Sequence, residues 1–391
     1  MKPERNEKIF MRKETKPVAK KTRPASWKKW RNILASGLMI FTAGALLILL
    51  CRAYLRYQIR QETLPSSIKG VDSLEEVEIG GVNQWVLLRG QRRSKPVLLF
   101  LHGGPGLPMM PFAHALTELE KYFIVAYWDE RGSGKSSGGG IPEDSVTMER
   151  LVSDTGEVIR FLRTRFGTPK VYLAGHSWGS VIGMRAAARD PELVYAFLGI
   201  GQVADFRGGE KISYEYALEQ ARKTGNGIAS HELEKIGPPP YGDPGKSLTL
   251  AKWVEVLGGG FHRCPGALEL VEIGFPSPYY SLADFWKFFT GGYFSFRRLW
   301  DNIRTTDLFD EIPRIGVPAY FFEGKYDFEA PSEIAYRYFQ ALRAPKKDFF
   351  WFEHSGHWPH LEEPGKFIAM LTQNVLKETY VRFSEDTDEA D

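Results

Sequence analysis

Apolar and polar positions follow two rhythms along most of the chain, one typical of strands and one of helices. Short apolar runs rich in β-branched and aromatic residues predict strands; they are PVLLFL (96–101), FIVAYW (123–128), VYLA (171–174), YAFLGI (195–200), AYFF (319–322) and FFWF (349–352). Runs without polar positions are typical of parallel sheets buried on both faces by helices. Upstream, EEVEIGGVNQWVLLRG, from Glu75, predicts two strands joined by a Gly-Gly turn.

A helix is expected between the second and third of these runs. From Thr147 to Arg165, apolar residues recur at steps of three and four and so share one helix face; they include Met148, Leu151, Val152, Val158, Ile159 and Leu162. Alternating strands and helices predict an α/β fold with a mostly parallel sheet, here preceded by an antiparallel hairpin.

The alternation stops between residues 205 and 312. Helical patterns at 213–224, 230–235, 247–257 and 282–289 are separated there by GPPP and GGG, which predicts a helical cap inserted into the sheet domain. Twelve aromatic residues fall between Phe261 and Trp300. We expect most of them to pack in the core of the cap and some to line an apolar pocket.

A long apolar run near the N-terminus predicts a membrane anchor. Residues 33–51 are 19 uncharged residues, and as a helix they would span roughly 28 Å, close to the thickness of a hydrocarbon core. Trp27 and Trp30 precede the run and Tyr54 and Tyr57 follow it, where interfacial aromatics are expected. A cleaved signal peptide and a buried core helix are the alternatives.

Charge is unevenly distributed along the chain. Residues 1–31 carry 12 Lys/Arg and three Glu, a net +9, so within a total of +3 the remaining residues carry −6. The positive-inside rule then places the N-terminus in the cytoplasm and the body on the extracytoplasmic side of the membrane. An acidic body argues against nucleic acid as a partner, and two cysteines exclude a disulfide framework.

These patterns predict seven consecutive segments. They are a basic cytoplasmic arm (1–32), a transmembrane anchor (33–51), a linker (52–69), the first part of the α/β core (70–204), the helical cap (205–312), the second part of the core (313–380) and an acidic tail (381–391).

The candidate nucleophile is Ser177. Gly175-His176-Ser177-Trp178-Gly179 fits G-x-S-x-G, follows the strand VYLA and opens a small-residue helix, as a nucleophile elbow does. Ser136 also stands in a G-x-S-x-G match, but it follows a polar turn and leads into no helix. The overlapping GSGKS (132–136) is no phosphate loop, because Asp129 stands where that motif needs glycine.

A serine hydroxyl needs a base to take its proton and an acid to orient that base. Asp327 follows the strand AYFF and His357 follows FFWF, so both belong to the carboxyl edge of the sheet, in the expected order after the serine. The alternatives are Glu323 and Glu329 for the acid, and His354, the second choice, and His360 for the base. For the oxyanion hole, we expect the amides of Trp178 and of Gly104 in HGGPG (102–106).

Five ordered motifs together resemble one family. HGGPG (102–106), WDERGSGKS (128–136), GHSWGS (175–180), GKYDFEAP (324–331) and SGHWPHLEEP (355–364) resemble α/β-hydrolase proteins of the proline iminopeptidase type, over residues 70–380. The resemblance implies the α/β-hydrolase fold, a triad of Ser177, Asp327 and His357 and an oxyanion hole at Gly104 and Trp178. It also implies a structural ion pair between Asp129 and Arg131.

The sequence therefore predicts a membrane-anchored serine hydrolase that works through an acyl-enzyme, without metal or organic cofactor. Its expected partners are a small peptide, amide or ester substrate and a lipid bilayer at residues 33–51. An aminopeptidase-like activity is preferred; a carboxylesterase or lipase-like hydrolase of apolar esters and a catalytically silent, membrane-tethered binding module are the alternatives. Peptidases of this type bind the free N-terminal amine with cap carboxylates, and the cap offers Glu210, Glu215, Glu219, Glu232, Glu234 and Glu255.

Overall fold

The computed structural model describes residues 25–65, 69–138, 140–263 and 268–380. The predicted acidic tail and residues 1–24 of the predicted basic arm lie outside these ranges. The chain divides into two compact units, Met1–Tyr54 and Leu55–Asp391.

One long helix, α1 (Ala25–Glu62), carries the apolar run near the N-terminus. Its part Lys29–Glu62 is long and apolar enough to cross a membrane, and the protein buries none of its most apolar stretch. The same length and composition suit a membrane anchor and a signal sequence. The predicted anchor, 33–51, falls inside this helix.

The described part of the second unit contains an eight-stranded sheet. Its strands are β1 (Val71–Ile79), β2 (Val82–Gly90), β3 (Val97–Leu101), β4 (Ile124–Asp129), β5 (Val171–His176), β6 (Val194–Ile200), β7 (Ala319–Gly324) and β8 (Lys347–Phe352). They are ordered β1-β2-β4-β3-β5-β6-β7-β8. The β1–β2 hairpin and the β2–β4 pair are antiparallel, and every later pair is parallel, as the apolar runs predict.

Helices cover both faces of this sheet. They are α2 (Met148–Phe166), α3 (Trp178–Arg189), α4 (Phe206–Lys223), α5 (Gly227–Ile236), α6 (Pro244–Val256), α7 (Leu268–Gly274), α8 (Leu282–Arg298), α9 (Trp300–Ile303), α10 (Leu308–Glu311), α11 (Ser332–Ala341), α12 (Pro359–Glu362), α13 (Pro364–Met370) and α14 (Lys377–Thr379). Short 3₁₀ segments lie at Met110–Lys121, Gly134–Ser136, Glu143–Ser145 and Pro191–Leu193, and a π-helical turn at Leu371–Leu376. Side chains of β3 alternate between two buried clusters, Leu99 and Leu101 in one and Leu98 and Phe100 in the other. The α/β-hydrolase fold with helical insertions is thereby confirmed.

Helices α4 to α10 lie between β6 and β7, where the cap is expected; its limits, 205 and 312, stay a prediction. Helix α8 continues to Arg298, well past the predicted end at Phe289. Gly291 and Gly292 weaken the helical pattern in the sequence, but here their missing side chains allow close packing. A Cβ atom at Gly291 would lie 2.8 Å from the carbonyl oxygen of Gly132.

The ion pair expected between Asp129 and Arg131 is wrong. Arg131 Nε instead donates to Asp154 Oδ2 on α2 at 2.8 Å, and both side chains are buried. Asp129 accepts the amide of Lys135 at 2.8 Å and the hydroxyl of Tyr280. The two charges are neighbours in sequence, but the turn after β4 directs them to different partners.

Replacing Asp154 tests this corrected pairing. In Asp154→Asn the guanidinium of Arg131 stays buried without its counter-charge, and we expect the free energy of unfolding to fall by about 3–5 kcal/mol. Denaturant unfolding of the full chain in detergent measures the change. Glu149→Gln, an exposed position on the same helix, is the control and should stay within about 0.5 kcal/mol of the parent. A loss no larger than the control's would refute the pairing.

Candidate active site

Ser177 lies in the sharp turn between β5 and α3. Its backbone angles are φ 52° and ψ −123°. Among the described residues other than glycine, Ser177 alone has a positive φ. The Ser177 amide donates to the carbonyl oxygen of Ile200 at the end of β6, at 2.9 Å. Such backbone strain persists only where surrounding structure enforces it, and it clusters at functional sites.

The two glycines of the G-x-S-x-G motif make this turn possible. A Cβ atom at Gly175 would overlap with the carbonyl of Gly179, and one at Gly179 would overlap with the carbonyl of Leu101 at the end of β3. At both positions, backbone atoms leave no room for a side chain. Backbone cannot move aside as a flexible side chain can. Ser136, the second match, lies in a 3₁₀ turn and accepts the amide of Trp85 at 2.8 Å, a structural role.

His357 and Asp327 meet directly. His357 Nδ1 donates to Asp327 Oδ2 at 2.7 Å, and both residues are only 1% exposed. The other oxygen, Asp327 Oδ1, accepts the amides of Glu329 at 2.9 Å and Ala330 at 2.8 Å. Both oxygens of the Asp327 carboxylate are thus engaged, which fixes the orientation of the carboxylate and of the imidazole bonded to it.

The sequence alternatives lie elsewhere. Glu323 is buried in β7 and accepts the amide of Gln202 at 2.8 Å, so it joins β6 to β7. His354 is exposed. His360 is buried among aromatic rings, with its centroid 5.6 Å from that of Phe100. Glu329 lines the cavity described below.

Three further residues hold the His357 loop, and sequence analysis assigned none of them this role. His176 Nε2, next to Ser177, donates to the carbonyl of His357 at 2.9 Å. The His357 amide donates to the Gly260 carbonyl at 2.6 Å. Glu362 accepts the amides of Gly356 at 2.7 Å and, from the cap, His262 at 2.8 Å. The motifs GHSWGS and HLEEP contain His176 and Glu362, but only the folded chain reveals their partners.

Charge around His357 favours its protonated form. Burial by itself lowers the pKa of His357, but the nearby charges of Asp327 and Glu329 and the bond to Asp327 outweigh it and raise the pKa to about 9. Burial lowers the pKa of His176 well below its usual value, and the neighbouring His357 adds to this. Of these two imidazoles, His357 is therefore the one that is more readily protonated.

Ser177 and His357 share an edge of the sheet without a hydrogen bond between them. Among the described residues, the buried His357 Nε2 has no hydrogen-bond partner. Gly103 passes beside the serine, since a Cβ atom there would lie 3.0 Å from that of Ser177. Ser177, Gly104 and Trp178 all line one cavity between the sheet edge and the cap. As the first residue of α3, Trp178 has an amide with no helical carbonyl to accept it.

This cavity is small and mostly apolar. Its volume is about 130 Å³. By the same measure, a cavity that holds a single water molecule needs about 10–15 Å³. Leu250, Val254 and Phe296 contribute apolar wall from the cap. One residue-sized group fits such a space beside Ser177.

Buried carboxyl groups face this space or lie beside it. Glu210 lines the cavity, is 7% exposed and accepts the hydroxyl of Ser247 at 2.6 Å; burial raises its pKa to about 6. Burial and the neighbouring Glu329 raise the pKa of Glu255 to about 8. In the described part of the chain, no Lys, Arg or His forms a salt bridge with Glu210, Glu255 or Glu329.

No group of three or more His, Cys, Asp or Glu side chains that could hold a metal ion occurs within the described ranges.

Comparison with known proteins places this geometry in a family. Residues 96–364 match the family defined by the alpha/beta hydrolase fold. The chain belongs to the α/β-hydrolase family. It is 36% identical over 309 residues to a probable aminopeptidase, YbaC, of Bacillus subtilis, covering 78% of this chain and 97% of that protein. It is 25% identical over 282 residues to a proline iminopeptidase of Heyndrickxia coagulans, covering 71% and 88%.

A solved structure shares the fold of this α/β hydrolase. The proline iminopeptidase of Mycobacterium smegmatis superposes with a TM-score of 0.55 at 19% identity, over 78% of this chain and 99% of that one. The predicted resemblance to proline iminopeptidase-like hydrolases and the prediction of a serine hydrolase enzyme are confirmed by these relationships.

The charge state of His357 can be measured in this α/β hydrolase. We expect its imidazole to be protonated at pH 7 and to titrate near pH 9, because the charge of Asp327 stabilises the cation. In Asp327→Asn the pKa should fall. Long-range ¹H–¹⁵N spectra of the ring nitrogens, assigned with His357→Gln, report both values.

His360 provides the internal control for this titration. Burial lowers its pKa to about 3, so it should stay neutral from pH 5 to 9. A neutral His357 at pH 7 in the parent protein would contradict the expectation.

Proposed function

We propose that this α/β hydrolase releases amino-terminal residues from small peptides or amides, with Ser177 as nucleophile, His357 as base and Asp327 as the group that orients the base. The observation that carries the proposal is the 2.7 Å bond between His357 and Asp327 at the edge where the strained Ser177 turn opens into a cavity. The name of the Bacillus subtilis relative, a probable aminopeptidase, also supports it.

In the proposed reaction, His357 Nε2 in its neutral form takes the proton from the Ser177 hydroxyl as the oxygen attacks the substrate carbonyl carbon. The carbonyl oxygen becomes an oxyanion, which the amides of Gly104 and Trp178 stabilise. The C–N bond then breaks, and the imidazolium gives its proton to the leaving amine. Water attacks the acyl-enzyme with His357 again as base, and the released acid and free Ser177 complete the cycle.

The carboxyl groups around the cavity favour a peptide with a free amino terminus. Burial without a cation destabilises a carboxylate, which then either takes up a proton or gains a counter-charge from a ligand. Glu210 is such a group, since it lines the same cavity as Ser177 and its hydrogen-bond partner, Ser247, is neutral. We assign it to bind the α-ammonium group of the substrate.

The proposal includes an anchor at residues 33–51, with the N-terminus in the cytoplasm and the catalytic unit on the extracytoplasmic side. Helix α1 has the length and apolar surface for it, and the excess of basic residues before it favours this orientation.

Hydrolysis of apolar esters is the second candidate. The apolar walls at Leu250, Val254 and Phe296 suit an acyl chain as well as a side chain. If the protein is an esterase, Glu210 contributes nothing to the affinity for the substrate.

Replacing the two motif serines tests the nucleophile. Ser177→Ala should lose labelling by a fluorophosphonate probe and lower kcat by about 10⁶-fold, because the attacking oxygen is gone. The matched control is Ser136→Ala, the other G-x-S-x-G serine, which should keep both labelling and turnover. If the parent protein resists the probe just as Ser177→Ala does, the chain is a binding module and no hydrolase.

Replacing Glu210 separates the peptidase from the esterase. With an amino-acid p-nitroanilide that has a free amine, Glu210→Gln should raise KM about 10–100-fold, the range expected for losing a charged hydrogen bond. Its KM for p-nitrophenyl butyrate should not change. Steady-state kinetics on both substrates provide the values.

Glu215→Gln is the matched control, since Glu215 is exposed on the same helix, α4. Equal effects of Glu210→Gln on the amide and the ester would refute amine recognition. Turnover of the ester alone in the parent protein would favour the second candidate.

A further inference from the structure

Helix α8 carries a row of exposed apolar side chains along one face. Leu282, Trp286, Phe289 and Tyr293, which we name the α8 stripe, follow at steps of four, three and four residues and so lie on one side of the helix. Trp286 is 72% exposed and Phe289 64%. Most aromatic side chains between Phe261 and Trp300 are expected to pack in the core of the cap, and Trp286, Phe289 and Tyr293 are exceptions.

The opposite face of α8 explains why the stripe points outward. Gly291 and Gly292 bring the helix against the turns at Gly132 and Gly106: a Cβ atom at Gly106 would lie 2.9 Å from the Cα atom of Gly292. Phe288 is buried on that same side. Backbone contacts this close fix the rotation of the helix, so the stripe cannot turn inward.

Exposed apolar side chains on α7 and two arginines on α8 lie near the stripe in the chain. Leu268 and Val271 on α7 are exposed, and the end of α7 contacts α8, since a Cβ atom at Gly274 would lie 3.6 Å from the ring of Phe285. Arg297 and Arg298 are exposed at the end of α8. Apolar and aromatic side chains beside cations are typical of helices that lie in a membrane interface.

The first residues of the second unit make contacts near the start of the stripe. Arg56 donates to the carbonyl oxygen of Pro278 at 2.9 Å, four residues before the first residue of the stripe. Arg60 pairs with Asp72 at 2.7 Å, so residues 56–60, which belong to the second unit, are held within that unit at two places. Cys51, the last residue of the apolar run, is five residues from Arg56, at most about 18 Å of chain in any conformation.

We propose that the α8 stripe docks on the lipid bilayer, with its aromatic rings at the level of the headgroups. This inference rests on the proposed anchor at residues 33–51. The tether keeps the bilayer at high effective concentration beside α8, and Arg297 and Arg298 match the charge of anionic lipids. A bilayer is therefore favoured over a second copy of the chain as the occupant. Helix α8 also contributes Phe296 to the wall of the cavity. Docking of the stripe therefore brings this wall of the cavity near the membrane.

The test uses the full chain reconstituted in vesicles of phosphatidylcholine and phosphatidylglycerol. In a Cys51→Ser, Cys264→Ser background, Phe289→Cys is labelled with the environment-sensitive fluorophore NBD. The matched control is Ile228→Cys on α5, an apolar position 69% exposed. Lipids with a doxyl group near the headgroup should quench NBD at 289 at least twofold and leave NBD at 228 unchanged. Thermal unfolding of each labelled protein confirms that it is folded.

Carbonate extraction of the same vesicles separates the two proposals. If the protein stays with the lipid but NBD at 289 is not quenched, the docking inference is overturned and the anchor stands. If the protein leaves the vesicles, the anchor fails and the docking inference fails with it. Crosslinking between copies through residue 289, without quenching by doxyl lipids, assigns the stripe to a second copy and also overturns the inference.

Discussion

Between β5 and α3 the backbone passes through a conformation that residues with a side chain rarely adopt, and the rest of the site depends on that turn. Holding Ser177 there costs about 1–3 kcal/mol. The turn persists because Gly175 and Gly179 let carbonyl groups from the elbow and from Leu101 approach more closely than any side chain would allow. The bond from the Ser177 amide to Ile200 ties the same turn to β6. The fold itself therefore holds the serine at the sheet edge.

Hydrogen bonds join the cap to the His357 loop, so each helps to position the other. The His357 amide donates to Gly260, and Glu362 accepts amides from both the His357 loop and the cap segment at His262. A shift of the cap segment at Gly260 would consequently move the imidazole. In the proposed reaction this coupling has a chemical use, because the same cap supplies Glu210, the carboxyl group assigned to the substrate amine. The cap then takes part both in binding the substrate amine and in orienting His357.

Much of the fold and of the candidate site could be predicted, because the sequence patterns that indicate them are local. A buried parallel strand has no solvent face, so an unbroken apolar run such as PVLLFL identifies β3 without knowledge of its neighbours. Ser177 differs from Ser136 by what precedes and follows it, a strand and a helix. For Arg131 the family resemblance implies the wrong partner, because ion pairs join residues that are close in space. Its partner, Asp154, is 23 positions away on α2.

By itself the sequence determined the strands in chain order, several of the helices, the strained serine turn and the candidate triad, because each depends on side-chain types within a few residues of one another. Only the tertiary structure decided which carboxyl groups face the cavity, which contacts hold the His357 loop and which side of α8 is exposed. The cap glutamates are alike in sequence, and burial beside Ser177 distinguishes Glu210. The exposure of Trp286 likewise follows from backbone contacts at Gly291 and Gly292 with distant loops. Such contacts form between segments that meet only when the chain is folded, and so no local pattern encodes them.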